Sequence, residues 1–190
     1  RRAVNALEEF APNIRTIRIG TRVPFQAPER VNDELLSILT SLRHHKLEIG
    51  VNVNHPVEFW PESRAALARL RAAGATLYNQ HPLLKGVNDD LGTLTALYAA
   101  LRDNDVEAHY LFHAIPLRGM SHHRTSVRKG AELALRLNAS GEFSGRAKPR
   151  YALMTDIGKI VLYEGAIIRR RAADNAILLR SGYRAEDRLR

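Results

Sequence analysis

Tyr78-Asn79-Gln80-His81-Pro82-Leu83-Leu84-Lys85-Gly86-Val87-Asn88-Asp89 is the stretch from which the chain is best read. The residues that lead into it, Ala75-Thr76-Leu77-Tyr78-Asn79, have the composition of a short strand. The chain then turns on Gly86, and Asn88 or Asp89 caps a helix with Leu91, Leu94, Tyr98 and Leu101 at helical spacing. Amides, an imidazole and an ammonium therefore collect where a strand hands over to a helix. That is the usual place for a site in an α/β protein.

The same unit recurs on both sides. Arg15 to Gly20, Leu47 to Asn54 and Val106 to His113 read as further strands, and the four starts fall near 15, 46, 75 and 106. A spacing of roughly 30 residues is that of a βα unit. Amphipathic helices fill the gaps: one from an Asn32 cap through Leu35, Leu36, Leu39 and Leu42, one from Glu62-Ser63 to Gly74, and one starting near Thr125 with Val127, Ala131, Ala134 and Leu135 on one stripe. A first helix, Arg1 to Phe10, begins without a cap. The fold class expected is α/β, with parallel strands in an open sheet or a barrel segment. After Asn138 the pattern changes. A flexible linker, Asn138 to Gly145, precedes strand-like runs at Pro149 to Thr155, Lys159 to Arg169 and Ala176 to Arg180. Two domains are expected: a partial (βα) barrel over 1–140 and a small, mostly antiparallel C-terminal β extension over 141–190.

Composition narrows the class. Of 190 residues, 45% are hydrophobic and 26% charged, which suits a globular protein with a real core. No apolar run approaches a membrane span and no leader is visible, so a cytoplasmic setting is expected. The chain has no cysteine, which excludes disulfides and thiolate-held metals within it. The net charge of +9 is spread over several helices, with one run at Arg169-Arg170-Arg171, and reads first as a solvated surface.

The strand exits carry Arg22 and Gln26; Asn52, Asn54 and His55; Asn79, Gln80, His81 and Lys85; and His109, His113 and Arg118. This rim is rich in amides, imidazoles and cations and poor in carboxylates, so it suits an anionic ligand better than a hard divalent metal. His55, His81 and His113 form an alternative, a three-histidine zinc-type site for a metal-dependent barrel hydrolase. A basic nucleic-acid-binding module is a second alternative. Lys159 follows Gly158 in a turn; it reads as a surface lysine or as an amine for a carbonyl cofactor.

Several segments resemble the lysine 2,3-aminomutase family of radical S-adenosylmethionine enzymes. They are Arg18-Ile19-Gly20-Thr21-Arg22 with Pro24, Asn54-His55-Pro56 with Glu58, Asn79-Gln80 through Leu84-Lys85-Gly86-Val87-Asn88-Asp89, and Arg124-Thr125 with Val127, Lys129 and Gly130. The resemblance implies the last four βα units of a radical-type barrel, binding S-adenosylmethionine, pyridoxal phosphate and a [4Fe-4S] cluster. It implies an isomerase that forms a 5′-deoxyadenosyl radical and moves an amino group. Gln80 matches a glutamine that contacts S-adenosylmethionine, and Asn52 stands where that pocket has a histidine. Lys159 matches the lysine that holds pyridoxal phosphate, and the family's Gly-rich approach to it is shortened here. Ile115 stands where lysine-specific members carry an aspartate for the substrate's distal ammonium. An apolar side chain cannot pair that charge, so an amino acid other than lysine is the expected substrate. The cluster ligands are expected ahead of Arg1, in a missing N-terminal half of the barrel, and the segment alone is expected to be inactive. A homo-oligomer is expected; membrane and nucleic acid are not.

Overall fold

A computed structural model describes residues 2–42, 46–144, 147–156, 158–162, 167–171, 173, 176–179 and 188–189. The described elements are α1 (Arg2–Phe10), β1 (Thr16–Thr21), α2 (Val23–Gln26), α3 (Asp33–Thr40), β2 (Lys46–Val51), α4 (Pro61–Ala72), β3 (Thr76–Leu83), α5 (Leu91–Asp103), β4 (Glu107–His113), α6 (Val127–Ala139), β5 (Arg150–Thr155), β6 (Gly158–Val161), β7 (Ile167–Arg171), β8 (Ala176–Leu179) and β9 (Arg188–Leu189). The chain divides into two compact units, Arg1–Gln80 with Thr95–Ala108 and His81–Leu94 with His109–Arg190. Strands β1 to β6 follow one another in chain order in a mixed, mostly parallel sheet; β7, β8 and β9 form a second sheet. This is the α/β class expected.

In the first unit, β1 pairs parallel with β2, and β2 with β3, setting Ile19 beside Ile49, Ile49 beside Leu77 and Val51 beside Asn79. Alternation along a strand sends these odd-numbered side chains to one face. Ile19 and Ile49 line an apolar cavity of about 410 Å³ with Leu35, Ile38 and Leu39 of α3 and Leu70 of α4, so the odd face is the one the helices cover. Asn32 caps α3 by accepting from the Leu35 N–H at 3.0 Å, and Asp33 and Glu34 sit at the positive end of its dipole. The core is the apolar set Leu47, Ile49, Val51, Leu67, Leu70, Leu77, Leu97 and Leu101, all nearly inaccessible. Burying one such side chain contributes about 1.5–3 kcal/mol.

In the second unit, β4 pairs parallel with β5, so the parallel series continues past the expected linker, and β5 pairs antiparallel with β6. The β5–β6 turn closes on Gly158. The single strand expected from Lys159 to Arg169 is two strands in different sheets, β6 ending at Val161 and β7 starting at Ile167. The antiparallel expectation holds for β5–β6, β7–β8 and β8–β9.

One helix start differs from the reading by composition, and another falls where it was expected. Asp90, not Asn88 or Asp89, caps α5, accepting from the Thr93 N–H at 2.8 Å. Ser126 caps α6, accepting from the Lys129 N–H at 3.1 Å. Strand β3 also runs four residues past Asn79, because Asn79 and His81 find partners within the protein and need no water. Among the described residues no helix is long and apolar enough to cross a membrane.

Candidate functional site

The exits of β1 to β3 in the first unit are organised by two side chains, Asn79 and Glu58. Asn79 is 1% exposed. Its Oδ1 accepts from the Val53 N–H at 3.0 Å and its Nδ2 donates to the Val53 carbonyl at 3.1 Å. A side-chain amide thus satisfies both backbone groups of Val53 just beyond the end of β2, where a buried peptide without partners would be costly. One residue on from the registered pair Val51–Asn79 come Asn52 and Gln80, on the opposite face. Both are only part-buried.

Glu58 works with both oxygens. Oε1 accepts from the Asn54 and His55 N–H groups at 2.7 and 3.0 Å, while Oε2 accepts from Arg22 Nη2 at 2.7 Å. Arg22 Nη1 donates to Asn52 Oδ1 at 3.3 Å, and its buried Nε has no partner. His55 Nδ1 accepts from the Val57 N–H at 3.2 Å, so it caps the short 3-10 turn Pro56–Glu58. The rim is therefore not without carboxylate. Glu58 was missed by composition, although a glutamate three residues after a capping residue is the signal of a capping box.

The rest of the opening stretch, in the second unit, is a clasp. His81 is fully buried, with Nδ1 at 3.3 Å from both the Pro82 carbonyl and Asn88 Nδ2. Burial lowers its pKa to about 4, the Pro82 hydrogen bond opposing. Asn88 donates to the Pro82 carbonyl at 3.1 Å and accepts from the Leu84 N–H at 2.7 Å. Gly86 takes φ of 75°, open to a residue without Cβ, and donates its N–H to Asp89 Oδ1 at 2.8 Å. Burial alone would raise the Asp89 pKa, but hydrogen bonds from Lys129 and Gly86 hold it below the usual value. Lys85, on the rim list, has an exposed side chain.

His113 ends β4 on the face toward α6. Its Nδ1 lies 2.9 Å from the Tyr151 hydroxyl, with the rings edge to face. Tyr151 lies so close to α6 that a Cβ on Gly130 would come within 2.0 Å of its hydroxyl, so only glycine fits there. Burial first, then the Arg124 guanidinium, lowers the His113 pKa; burial pushes the Tyr151 phenol up. The three-histidine zinc reading finds no support: among the described residues no three His, Cys, Asp or Glu side chains come together to hold a metal.

Lys159 lies on the other face of this unit. Its Nζ sits 3.9 Å from the centroid of the Tyr110 ring, which stacks on Phe112 at 5.2 Å. The lysine is half-buried in β6 rather than on the surface of a turn. Ile115, 45% exposed, lies in the loop that follows β4, two residues past His113. The structure thus brings Asn52, Arg22 and Glu58 into contact in the first unit, and Lys159 and Tyr110 in the second.

No protein-family model matches the chain. It is 40% identical over 141 residues to the L-lysine 2,3-aminomutase of Methanococcus maripaludis, covering 74% of this chain and 32% of the relative. It is 35% identical over 140 residues to the glutamate 2,3-aminomutase of Clostridioides difficile, again 74% of this chain and 32% of the relative. Among solved structures it is similar to a radical S-adenosylmethionine methyltransferase from Sphaerobacter thermophilus, with a TM-score of 0.51 and 19% identity over 77% of this chain and 44% of that one. The chain therefore spans about a third of the length of these two aminomutases.

Proposed function

For a chain that belongs with the lysine 2,3-aminomutase family over about three quarters of its length, we propose that its residues form part of a radical S-adenosylmethionine isomerase that moves an amino group between adjacent carbons of an amino acid. One observation carries the reading: within a segment homologous to aminomutases, Asn52 and Gln80 directly follow the last registered pair of β2 and β3, Val51 with Asn79, and both are only part-buried. An amide pair there offers both donors and acceptors, and the Arg22 guanidinium adds a cation whose Nε lacks a partner. Those groups fit the polar, carboxylate-bearing S-adenosylmethionine. Lys159 fits pyridoxal phosphate: it is a half-buried amine resting on an aromatic ring, with no carboxylate within ion-pair distance among the described residues.

When bound, and given one electron from a reductant held outside these 190 residues, S-adenosylmethionine would supply a carbon radical, and pyridoxal phosphate would supply a conjugated carbonyl partner for the migrating nitrogen. The chain's own residues position them. Glu58 fixes Arg22 and the Asn54–His55 turn; Arg22 fixes the Asn52 amide; Gln80 is left to bind; Lys159 presents an amine. Ile115 disfavours a substrate with a distal ammonium. The 190 residues contain no cysteine, so they do not fit the cluster, and no role here runs through it.

The test uses the whole protein, reconstituted with iron and sulfide under reducing, anaerobic conditions. Release of 5′-deoxyadenosine from S-adenosylmethionine is expected, with half-saturation raised about tenfold in Gln80→Ala. A whole protein that carries the cluster yet releases none would sink the reading.

A further inference from the structure

Among the described residues the Lys159 amine meets the ring of Tyr110, and that ring is built into place. Tyr110 is only 8% exposed. Phe112 stacks on one part of its ring at an interplanar angle of 28°, and the His109 ring lies 4.0 Å away, tilted by 59°. The strand register explains how a lysine on β6 reaches a ring on β4. Ala152 of β5 stands opposite Phe112 on one side and opposite Val161 on the other. Tyr110 is opposite Arg150 and Lys159 opposite Met154, so Ala152 lies between the two on their shared face. It is fully buried and has the smallest side chain that β-carbon chemistry permits. A larger residue there would stand in the path of the lysine.

We infer that Tyr110 is a positioning residue for the Lys159 amine: its ring face, braced by His109 and Phe112, directs Nζ across Ala152 to a fixed place above β4. A cation near an aromatic face is held by the ring quadrupole, an attraction that needs no countercharge. A carboxylate would anchor a lysine more strongly, but it would also compete with a carbonyl ligand for the amine. The aromatic face orients Nζ and leaves its reactive direction open. This inference rests on the reading of Lys159 as the pyridoxal-binding amine, and it adds the residue that aims it.

Two measurements on the whole protein separate the inference from that reading. The first needs no cofactor. Reductive methylation with isotope-labelled formaldehyde places methyl groups on the lysine nitrogens, which are then observed by NMR. The Lys159 methyls should be shifted upfield by the Tyr110 ring current. The shift should persist in Tyr110→Phe, which keeps the ring, and vanish in Tyr110→Leu. An unshifted Lys159 signal in the parent protein, or a shift that survives Tyr110→Leu, overturns the inference whatever Lys159 binds.

The second measurement follows condensation of the amine with the aldehyde of pyridoxal phosphate, in which C=N replaces C=O and water leaves. Borohydride then delivers hydride to the carbon and fixes the bond as a secondary amine for peptide mapping. Labelling of Lys159 should be about tenfold slower in Tyr110→Leu and close to the parent rate in Tyr110→Phe. Equal rates in the parent and Tyr110→Leu overturn the positioning role while leaving Lys159 as the pyridoxal lysine. Labelling that never favours Lys159 in the parent refutes the pyridoxal reading; the ring-current result then decides the positioning alone.

Discussion

The polar side chains at the strand exits fall into two sets that differ by the face they occupy. Asn79 in the first unit, and His81 and His113 in the second, are nearly or fully inaccessible and are bonded within the protein. Gln80 lies on the face of β3 opposite to Asn79, Lys159 on the face of its own unit opposite to Tyr151, and both, like Asn52, are only part-buried. The residue types overlap, amides and bases in both. The alternation of the strand decides which are fasteners and which are left to meet a ligand. A polar run such as Asn79-Gln80-His81 therefore contains both kinds, one residue apart.

The comparison breaks most sharply at Asn79. Asn79→Ala leaves the Val53 N–H and carbonyl buried without partners, two losses of about 1–3 kcal/mol each. The expected cost is about 4 kcal/mol, read as a lower urea midpoint at unchanged slope. A loss below about 1 kcal/mol would mean that water replaces the amide and that Asn79 is not a fastener.

Acid should act next. His81 is neutral when folded because burial lowers its pKa to about 4 from 6.5. A base with a lowered folded pKa takes up its proton only in the unfolded chain. Stability is therefore full above pH 6.5 and drains as pH falls toward 4, by about 3 kcal/mol for this shift. His113 is lowered too and adds loss of the same sign. Asp89 and Asp90 are lowered carboxylates, and their contribution is lost only as they become protonated at more acidic pH. Urea midpoints measured from neutral pH downward should show the early fall, and His81→Gln should flatten most of it. A parent protein equally stable at pH 6.5 and pH 4 would contradict a neutral, buried His81.

A smaller effect is expected at the tyrosine clasp of the second unit. Gly130→Ala places a methyl against the Tyr151 hydroxyl and should cost about 2 kcal/mol by overpacking. Tyr151→Phe removes the partner of His113 Nδ1 and should cost about 1 kcal/mol. If thermal melts reverse that order, the hydrogen bond and not the close packing is the dominant contact.

Much of this was legible in the sequence. The βα period of about 30 residues, the Asn32 cap and the apolar stripes follow from local spacing, and local spacing is what a sequence displays. Sorting the rim was harder. Asn79 and Gln80 are adjacent amides, and only a register set by β2 separates their fates. Glu58 was passed over as a rim carboxylate although its bond to the Asn54–His55 turn is local; its second partner, Arg22, lies 36 positions away and meets it only through tertiary packing. Nothing local singles out Tyr110 or Tyr151, because their partners lie 49 and 38 positions away on other strands. Lys159 looked like a turn residue because its turn is real, but the hairpin tips its side chain inward to a ring no periodicity could name.

Gln80 should give the smallest effect on stability and the clearest effect on binding. It is part-buried, on the face opposite Asn79, and the described contacts assign its side chain no bond. Gln80→Ala should thus change stability by no more than about 0.5 kcal/mol, the range of an ordinary surface substitution. The same variant should weaken S-adenosylmethionine binding about tenfold in the whole protein, as expected for one lost hydrogen-bonding amide. The two readings must come from the same preparation, because their combination is what distinguishes a ligand contact from a fastener. A fastener loses stability first and binding as a consequence; a ligand contact loses binding alone. If Gln80→Ala melts as low as Asn79→Ala, the face rule fails at its central pair and Gln80 belongs with the clasp. If it neither melts lower nor binds less, the open face is intact but the ligand lies elsewhere along it, and Asn52→Ala becomes the variant that decides.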